Sequence, residues 1–326
     1  MKIRVLSLFS GCGGMDLGLL GGFKFLGKNF KKNNFEIVQA IDNDHRVLHL
    51  YNKNFKKVAE LKNIIEKPSN EFKPHDLLIG GFPCQSFSVV AQNPKRLGFK
   101  DEKGKLFFEI CRILRFAKPR CFLVENVKGL LSANNGQAFD LIIQEFQSSG
   151  YFVKYKLLNS SEFGIPQKRE RIFIIGFLEK KDFEDFEFPN PTTLSKDSKI
   201  PLRDVIDKEE NANEKLFFSA KALEGLKKTK HFKSMNKGRA QDINLPCNTV
   251  GSHLAKVSLN STDPVLAIGD RYRMFSPREV ARIQSFPEDF KLASLRQWNY
   301  IALGNAVPPV MMWYIAIQIQ KVLAKK

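Results

Sequence analysis

Through residue 178, the chain alternates short apolar runs with segments that carry a helical hydrophobic period. The runs that predict strands are residues 3–9, 35–41, 77–80, 121–125, 152–158 and 171–177. The segments that predict helices are residues 44–54, 106–116 and 137–148. This alternation predicts an α/β fold in which helices cover both faces of a parallel sheet.

The pattern changes after Phe177. Residues 179–214 are acidic and interrupted by prolines, whereas residues 215–256 carry an excess of Lys and Arg. Helical order returns at Ser276, where a capping box with Glu279 predicts a helix start, and residues 310–323 predict a buried final helix. We therefore expect a first domain over residues 1–178, a smaller irregular domain over 179–270, and a C-terminal segment, 271–326, that returns to the first domain.

The charge of the chain indicates a polyanionic partner. Its 326 residues carry a net charge of +18, and nucleic acid is the commonest partner of so basic a surface. Five cysteines with no CxxC pair argue against a disulfide framework or a zinc site, so no metal is expected. No basic-plus-apolar leader precedes the first strand, and no apolar run approaches the roughly 18 residues of a membrane span. These features predict a cytoplasmic protein without a membrane segment.

Two predicted strands end in side chains suited to covalent chemistry. The run that ends at Gly80 continues through Phe82 and Pro83 to Cys84, and the run that begins at Cys121 ends in Glu125. Neighbouring strands of a parallel sheet would bring this thiol and this carboxyl group together at the carboxyl edge, where such sheets bind ligands. A thiol beside a proton-sharing carboxyl group predicts nucleophilic attack on an electron-poor ring.

A glycine-rich turn follows the first strand. Gly11, Gly13 and Gly14 would let the backbone approach a ligand closely, although Asp16 stands where the dinucleotide fingerprint has its third glycine. Asp42 ends the second predicted strand, where nucleoside-binding sheets place an acid for the ribose hydroxyls. The alternative is that Asp42 or Asp44 caps the next helix. Together the turn and the acid favour a nucleoside-type cofactor.

A basic segment, residues 167–171, leads into the last strand of the first domain. Its arginines, Arg169 and Arg171, could hold a phosphate or a ring near the cysteine. The alternative is a solvated basic hairpin.

In this order, the residues resemble the DNA (cytosine-5) methyltransferase family of the bacterial restriction-modification type. The motifs that carry the resemblance are residues 9–18, 42–55, 75–88, 105–114, 125–127, 167–171, 273–287 and 304–308. They cover both ends of the chain and leave about 179–270 unmatched, where the family has its variable target-recognition domain. The resemblance implies a Rossmann-like S-adenosylmethionine-dependent methyltransferase sheet.

The resemblance also implies a role for individual residues. Cys84 would be the nucleophile, Glu125 the partner of the target base, and Arg169 and Arg171 the basic support around that base. The residues expected at the S-adenosylmethionine pocket are Phe9, Gly11, Gly13, Gly14, Asp42, Asn43, Asn63, Leu106 and Asn305. Those expected to contact DNA are Gln85, Ser86, Lys227, Lys228, Lys230, Arg239 and Thr249. Asn63 departs from the family, which usually has an acid near the adenine amino group.

The resemblance implies double-stranded DNA as the partner, and we expect a monomer. A cognate restriction endonuclease that acts on the same site is a candidate second partner, and the sequence leaves its existence open. One alternative is an RNA cytosine-5 methyltransferase on the same catalytic domain, although that relative usually has Pro-Pro-Cys where this chain has Phe82-Pro83-Cys84. Another is a non-catalytic DNA-binding regulator, against which the presence of Cys84 and Glu125 argues. The recognised DNA sequence cannot be read from one chain.

Overall fold

The computed structural model describes residues 2–56, 59–83, 102–193, 195, 198–208, 213–228, 239–256 and 263–324. Its strands are β1 Ile3–Leu8, β2 Phe23–Phe25, β3 Lys28–Phe30, β4 Phe35–Asp42, β5 Glu60–Leu61, β6 Leu77–Gly81, β7 Cys121–Val127, β8 Phe152–Asn159, β9 Gln167–Lys168, β10 Glu170–Phe177, β11 Ala240–Gln241, β12 Cys247–Asn248, β13 Val265–Ile268 and β14 Arg271–Arg273. Its α-helices are α1 Gly14–Leu20, α2 His45–Asn54, α3 Glu102–Ala117, α4 Gln137–Ser148, α5 Lys180–Asp185, α6 Ala220–Lys227, α7 Pro277–Ile283, α8 Arg296–Asn305 and α9 Pro309–Leu323.

Seven of these strands form the central sheet, in the order β5-β4-β1-β6-β7-β10-β8. Strands β5, β4, β1, β6 and β7 run parallel to one another, as the sequence predicts. The prediction of a parallel sheet is wrong at β10, which is antiparallel to both β7 and β8. The reason is the connection from β8 to β10, since residues 160–169 are too few for the helical crossover that parallel neighbours need.

The central strands are buried at almost every position, and their successive side chains point to opposite faces. Both faces of the sheet are therefore apolar. One face packs against α1, α2 and α9 through residues such as Leu19, Leu48 and Met312. The other face packs against α3 and α4 through residues such as Ile110 and Phe146. The predicted covering by helices on both faces is confirmed.

Helix boundaries follow the capping chemistry in the sequence. The Ser276 hydroxyl accepts from the backbone N–H of Glu279, whose carboxylate accepts in return from the backbone N–H of Ser276, so the predicted capping box is present. The final helix, α9, begins one residue before the predicted start and is largely buried. Within the described residues, the stretch Arg296–Leu323 is apolar and long enough to cross a membrane, but its apolar part is mostly buried inside the protein, as in a core helix.

The region after the central sheet has short elements. Strands β13 and β14 form an antiparallel pair that β11 joins, and β12 pairs with β9 beside the sheet. Phe186 is fully buried and packs on Phe177, so the chain just beyond residue 178 still contacts the sheet. The domain limits at residues 178 and 270 stay predictions.

Candidate active site

The candidate site lies at the carboxyl edge of the sheet, where β6 and β7 end side by side. Their parallel pairing sets Gly81 opposite Glu125, and the Asn126 side chain donates to the carbonyl of Phe82 at 3.0 Å. The chain that leads to Cys84 is therefore tied to β7 next to Glu125. Cys84 itself, like Gln85 and Ser86, lies outside the described residues.

Glu125 is paired with an arginine from the neighbouring strand. Arg171 Nε lies 2.9 Å from Glu125 Oε1, and the two side chains are only 13% and 10% exposed. The antiparallel direction of β10 produces this pair, because it sets the start of β10, and so Arg171, beside the end of β7. A largely buried carboxylate held by a guanidinium has a fixed orientation and cannot rotate freely as it would in water.

Arg169 does not join this pair, although the sequence gives the two arginines the same role. Its side chain is 1% exposed and donates to the carbonyls of Val250 and Gly304, at 3.0 and 3.2 Å. The pKa of Arg169 is lowered to about 9, mainly by burial and in addition by the charge of Arg171, while the charge of Glu125 raises it in part. The alternative of a solvated basic hairpin is wrong, since Gln167 and Arg169 are both buried.

The glycine-rich turn lies beside Glu125's edge of the sheet, at the end of β1. Gly11 and Gly13 have φ angles of 56° and 86°, which favour glycine, and a β-carbon at Gly13 would collide with the Phe55 ring. Phe9 also has a positive φ, 51°, a strained conformation for an aromatic residue and typical of functional turns. A β-carbon at Gly14 would collide with the Val307 carbonyl, so the C-terminal segment returns to this turn.

Asp42 joins the turn to the end of β4. Its carboxylate accepts from the backbone N–H groups of Gly11 and Asp44, both at 2.9 Å. Asp44, not Asp42, caps α2 by accepting from the Arg46 N–H, so the capping alternative does not account for Asp42. Burial raises the pKa of Asp42, and the backbone hydrogen bonds lower it in part. Each carboxylate oxygen keeps acceptor capacity for a ligand hydroxyl.

The other predicted cofactor residues lie on four different segments of the chain. Asn43 is exposed beside Asp42, and Leu106 packs half-buried against the core of the second sheet face. Asn305 is exposed at the end of α8, in the segment that returns to Gly14. Asn63 accepts from the Ile65 N–H at 3.2 Å through Oδ1, the oxygen that would face an adenine amino group.

Two observations test whether this turn suits a nucleoside-type cofactor. The Ser10 hydroxyl is buried beside the glycines and has no hydrogen-bond partner among the described residues. A β-carbon at Gly11 would have no atom nearer than 3.9 Å, so the turn leaves open space beside this glycine. An unpartnered hydroxyl, open space beside a glycine and the Asp42 carboxylate suit a ligand that carries hydroxyl groups.

Asp16, which the sequence marks only as a departure from the dinucleotide fingerprint, is fully buried under the turn. It accepts from the Ser7 and Tyr51 hydroxyls at 3.0 and 3.1 Å. Burial raises the pKa of Asp16 to about 6, while the two hydroxyls lower it in part. Its carboxylate braces β1, α1 and α2 beneath the candidate cofactor cradle.

We expect Asp16→Asn to remove a pH dependence of stability. The folded protein binds the Asp16 proton more tightly than the unfolded chain does. The stability loss caused by ionisation of Asp16 is therefore absent at low pH and complete above about pH 6. The difference between about 6 and the ordinary value of 3.8 corresponds to about 3 kcal/mol. Urea unfolding from about pH 4 to 8 should show the wild type losing stability relative to Asp16→Asn as pH rises to about 7. A difference that is independent of pH would contradict this assignment.

The predicted DNA contacts are dispersed. Thr249 is exposed, and its hydroxyl donates to the Lys168 carbonyl at 2.8 Å; Lys228 is exposed. Arg239 is buried and donates to the Asp263 carbonyl at 2.9 Å, so in this structure its side chain bonds another backbone segment of the predicted irregular domain. Lys230 lies outside the described residues, as does the side chain of Lys227.

Known proteins resemble this chain both in sequence and in fold. The sequence model of the family described as C-5 cytosine-specific DNA methylase matches residues 3–321. The chain is 35% identical to the type II methyltransferase M.FnuDI of Fusobacterium nucleatum, over 99% of this chain and 96% of that protein. It is 34% identical to the type II methyltransferase M.Bsp6I of Bacillus sp. (strain RFL6), over 98% and 99%. The crystal structure of the S. pombe Dnmt2 methyltransferase superposes with a TM-score of 0.77 at 21% identity, over 100% of both chains, which supports the fold.

Proposed function

The chain belongs to the C-5 cytosine-specific DNA methylase family, and from that premise we propose that it methylates carbon 5 of a flipped cytosine in a short duplex DNA sequence, through a covalent Cys84 adduct and with S-adenosylmethionine as the methyl donor. The observation that carries the proposal is the pairing of Gly81 with Glu125. This register brings the segment that leads to Cys84 beside the Glu125–Arg171 pair.

Cys84 would act first, as the nucleophile. Carbon 5 of cytosine is a poor nucleophile, and attack of the Cys84 thiolate on carbon 6 converts the ring into an enamine-like species that is reactive at carbon 5. After carbon 5 has gained the methyl group, loss of the carbon 5 proton expels the thiolate and restores the aromatic ring. The cysteine is thus regenerated in each turnover.

Glu125 and Arg171 stabilise the charge that this attack creates. Glu125, carrying a proton, would donate to ring N3, where negative charge develops, and its other oxygen would accept from the exocyclic amine of the cytosine. Arg171 fixes the Glu125 carboxylate through the contact of 2.9 Å and adds a positive charge at the same edge. This preorganised arrangement needs no rearrangement when the thiolate attacks.

The cofactor would be held by the glycine-rich turn. S-adenosylmethionine supplies an electrophilic methyl group on a sulfonium. Asp42 would accept from the ribose hydroxyls, and the Ser10 hydroxyl would bind the polar end of the cofactor. The residues that would enclose the remainder are Asn43, Asn63, Leu106 and Asn305. Flanking β-strand ends bring this cradle and Glu125 to one edge of the sheet.

The target base has to leave the duplex, because a stacked cytosine cannot reach the sheet edge, and extrusion costs a few kcal/mol. The irregular domain predicted over residues 179–270, with its basic stretch, would recognise the DNA sequence. The relatives named above are type II methyltransferases, which supports a role as the modification enzyme of a restriction-modification system with a cognate endonuclease. We expect a monomer that works in the cytoplasm.

DNA affinity is expected to fall steeply with salt, because a chain of net charge +18 releases counterions from the phosphates that it contacts. Between about 50 and 200 mM salt, the loss should be on the order of 10³-fold. Lys228→Ala should reduce the slope of log affinity against log salt by about 1. Lys180→Ala is the control and should leave this slope unchanged, because the Lys180 ammonium pairs with Glu184 on α5. Fluorescence anisotropy with a labelled duplex measures both slopes, and a flat salt dependence would contradict a basic DNA-binding face.

A trapping experiment tests the covalent step. Random-sequence duplex DNA that carries 5-fluorocytosine at every cytosine cannot lose a proton from carbon 5, so the adduct should persist. We expect a protein–DNA complex that survives denaturing electrophoresis and requires both S-adenosylmethionine and Cys84. A complex of equal yield in the Cys84→Ser variant would contradict attack by this thiol.

A further inference from the structure

Three buried polar side chains, Gln167, Arg169 and Gln284, join segments that are far apart in the sequence. They are 0%, 1% and 0% exposed, and we call them the polar hub. Gln167 Nε2 donates to Gln284 Oε1 at 2.8 Å, which connects the strand segment before β10 to the end of α7. Buried side-chain amides bonded in this way fix the relative position of the elements that carry them.

One side of the hub holds the segment that carries Thr249. Both backbone groups of Val250 are bound, since its N–H donates to Gln167 Oε1 at 2.9 Å and its carbonyl accepts from Arg169 at 3.0 Å. The hydroxyl of Thr249 is bound to the Lys168 carbonyl, within the same strand pairing of β9 and β12. The hub therefore sets the position of a candidate DNA-contacting residue.

The other side holds the turn at the end of α8. Gln284 Nε2 donates to the Leu303 carbonyl at 2.6 Å, and Arg169 donates to the Gly304 carbonyl at 3.2 Å. Gly304 is packed so closely that a β-carbon would collide with the backbone of Gly251. Asn305 follows directly, and the chain then reaches the Gly14 turn, so the hub also sets one wall of the candidate cofactor pocket.

Arg169 differs from Arg171 in the groups that it contacts. Arg171 bonds a carboxylate at the sheet edge, whereas Arg169 is a buried guanidinium whose described hydrogen bonds go to two carbonyls of different segments. Desolvating a guanidinium is costly, and bonds to two backbone segments give it a geometric function. A residue that touched the target base would need a donor directed at the open edge.

We propose that Arg169 is a positioning residue that fixes the cofactor-pocket turn through Gly304 and the recognition segment through Val250, and that it does not touch the target base. The inference rests on the proposed function, because it takes S-adenosylmethionine as the ligand of that pocket. Its consequence is specific: the hub supports cofactor binding before any DNA is present. A role at the target base would instead appear only in steps that involve DNA.

Calorimetry with S-adenosylhomocysteine, without DNA, distinguishes the two roles. Arg169→Met keeps most of the side-chain length and removes both hydrogen bonds, so we expect affinity to fall about tenfold, the usual effect of losing a hydrogen bond from a buried charged donor. Gln284→Met should weaken affinity in the same direction from the other side of the turn. Arg169→Lys, which keeps the charge but not the two-pronged geometry, should lie between wild type and Arg169→Met.

Arg278→Met is the matched control. Arg278 also donates to two carbonyls, those of Pro287 and Phe290, but both belong to its own segment, so affinity should stay within about twofold of wild type. Thermal unfolding identifies any variant that fails to fold, and Gln284→Met and Arg169→Lys then carry the test. In turnover assays, the KM for S-adenosylmethionine should rise more than kcat falls.

Unchanged S-adenosylhomocysteine affinity in folded Arg169→Met, with methyl transfer lost, would overturn the positioning role and return Arg169 to the target base. A wild-type protein that does not bind S-adenosylhomocysteine would instead contradict the proposed function, and the inference with it. The wild-type titration therefore separates the two failures.

Discussion

Cys84→Ser is expected to abolish methyl transfer, with a loss on the order of 10⁴-fold or more, the scale seen when a covalent nucleophile is removed. The reason is chemical: near neutral pH a cysteine supplies a thiolate, whereas a serine hydroxyl stays protonated and attacks carbon 6 poorly. The substitution leaves the glycine-rich turn and Asp42 intact. S-adenosylhomocysteine affinity should therefore stay within about twofold of wild type.

Transfer of radiolabelled methyl groups to unmethylated genomic DNA measures this loss. Cys111→Ser is the matched control, since it makes the same change on α3, where burial raises the pKa of the Cys111 thiol to about 12 and leaves it unreactive. Retained turnover in Cys84→Ser would exclude Cys84 as the nucleophile, and an equal loss in a folded Cys111→Ser would show that the loss is not specific to Cys84.

Glu125→Gln is expected to slow single-turnover methyl transfer by about 10²- to 10⁴-fold, the usual range for a group that transfers a proton or stabilises transition-state charge. Glutamine has nearly the same shape but lacks the charge that binds Arg171 at 2.9 Å and cannot share a proton with the cytosine ring. The loss should appear in the chemical step, while S-adenosylhomocysteine affinity and genomic-DNA affinity stay close to wild type.

Glu170→Gln provides the comparison for this second loss. Glu170 begins β10, next to Arg171, and its pair with Lys128 is solvent-exposed, so its removal should change the rate less than about threefold. Equal rates for Glu125→Gln and wild type under single-turnover conditions would show that Glu125 has no part in the chemical step.

The sequence predicts the central elements of the fold because apolar period and capping residues are local signals. Residues 137–148 are helical as predicted, and the Ser276 capping box is in place. The direction of β10 is the exception, since the apolar pattern of a strand does not indicate whether it runs parallel or antiparallel to its neighbours. The chain between residues 158 and 171 is too short for a crossover α-helix, and this spacing favours an antiparallel return.

The candidate site is less readable because its residues acquire their roles through distant contacts. Arg169 and Arg171 are two residues apart, yet one bonds Val250 and Gly304 while the other bonds Glu125. Spacing cannot separate them, because burial depends on which segments pack above each side chain. Gln284 and Asp16 were missed for the same reason: a lone polar residue in a helical pattern carries no sign of being buried.

The most direct test of the account is a map of 5-methylcytosine at single-base resolution. Purified protein would be incubated with unmethylated genomic DNA and S-adenosylmethionine, with Cys84→Ser as the control. The account predicts methylation of carbon 5 at nearly every copy of one short motif, which would also reveal the recognised sequence. Methylation no greater than in the Cys84→Ser control would contradict it and favour an RNA substrate or a non-catalytic regulator.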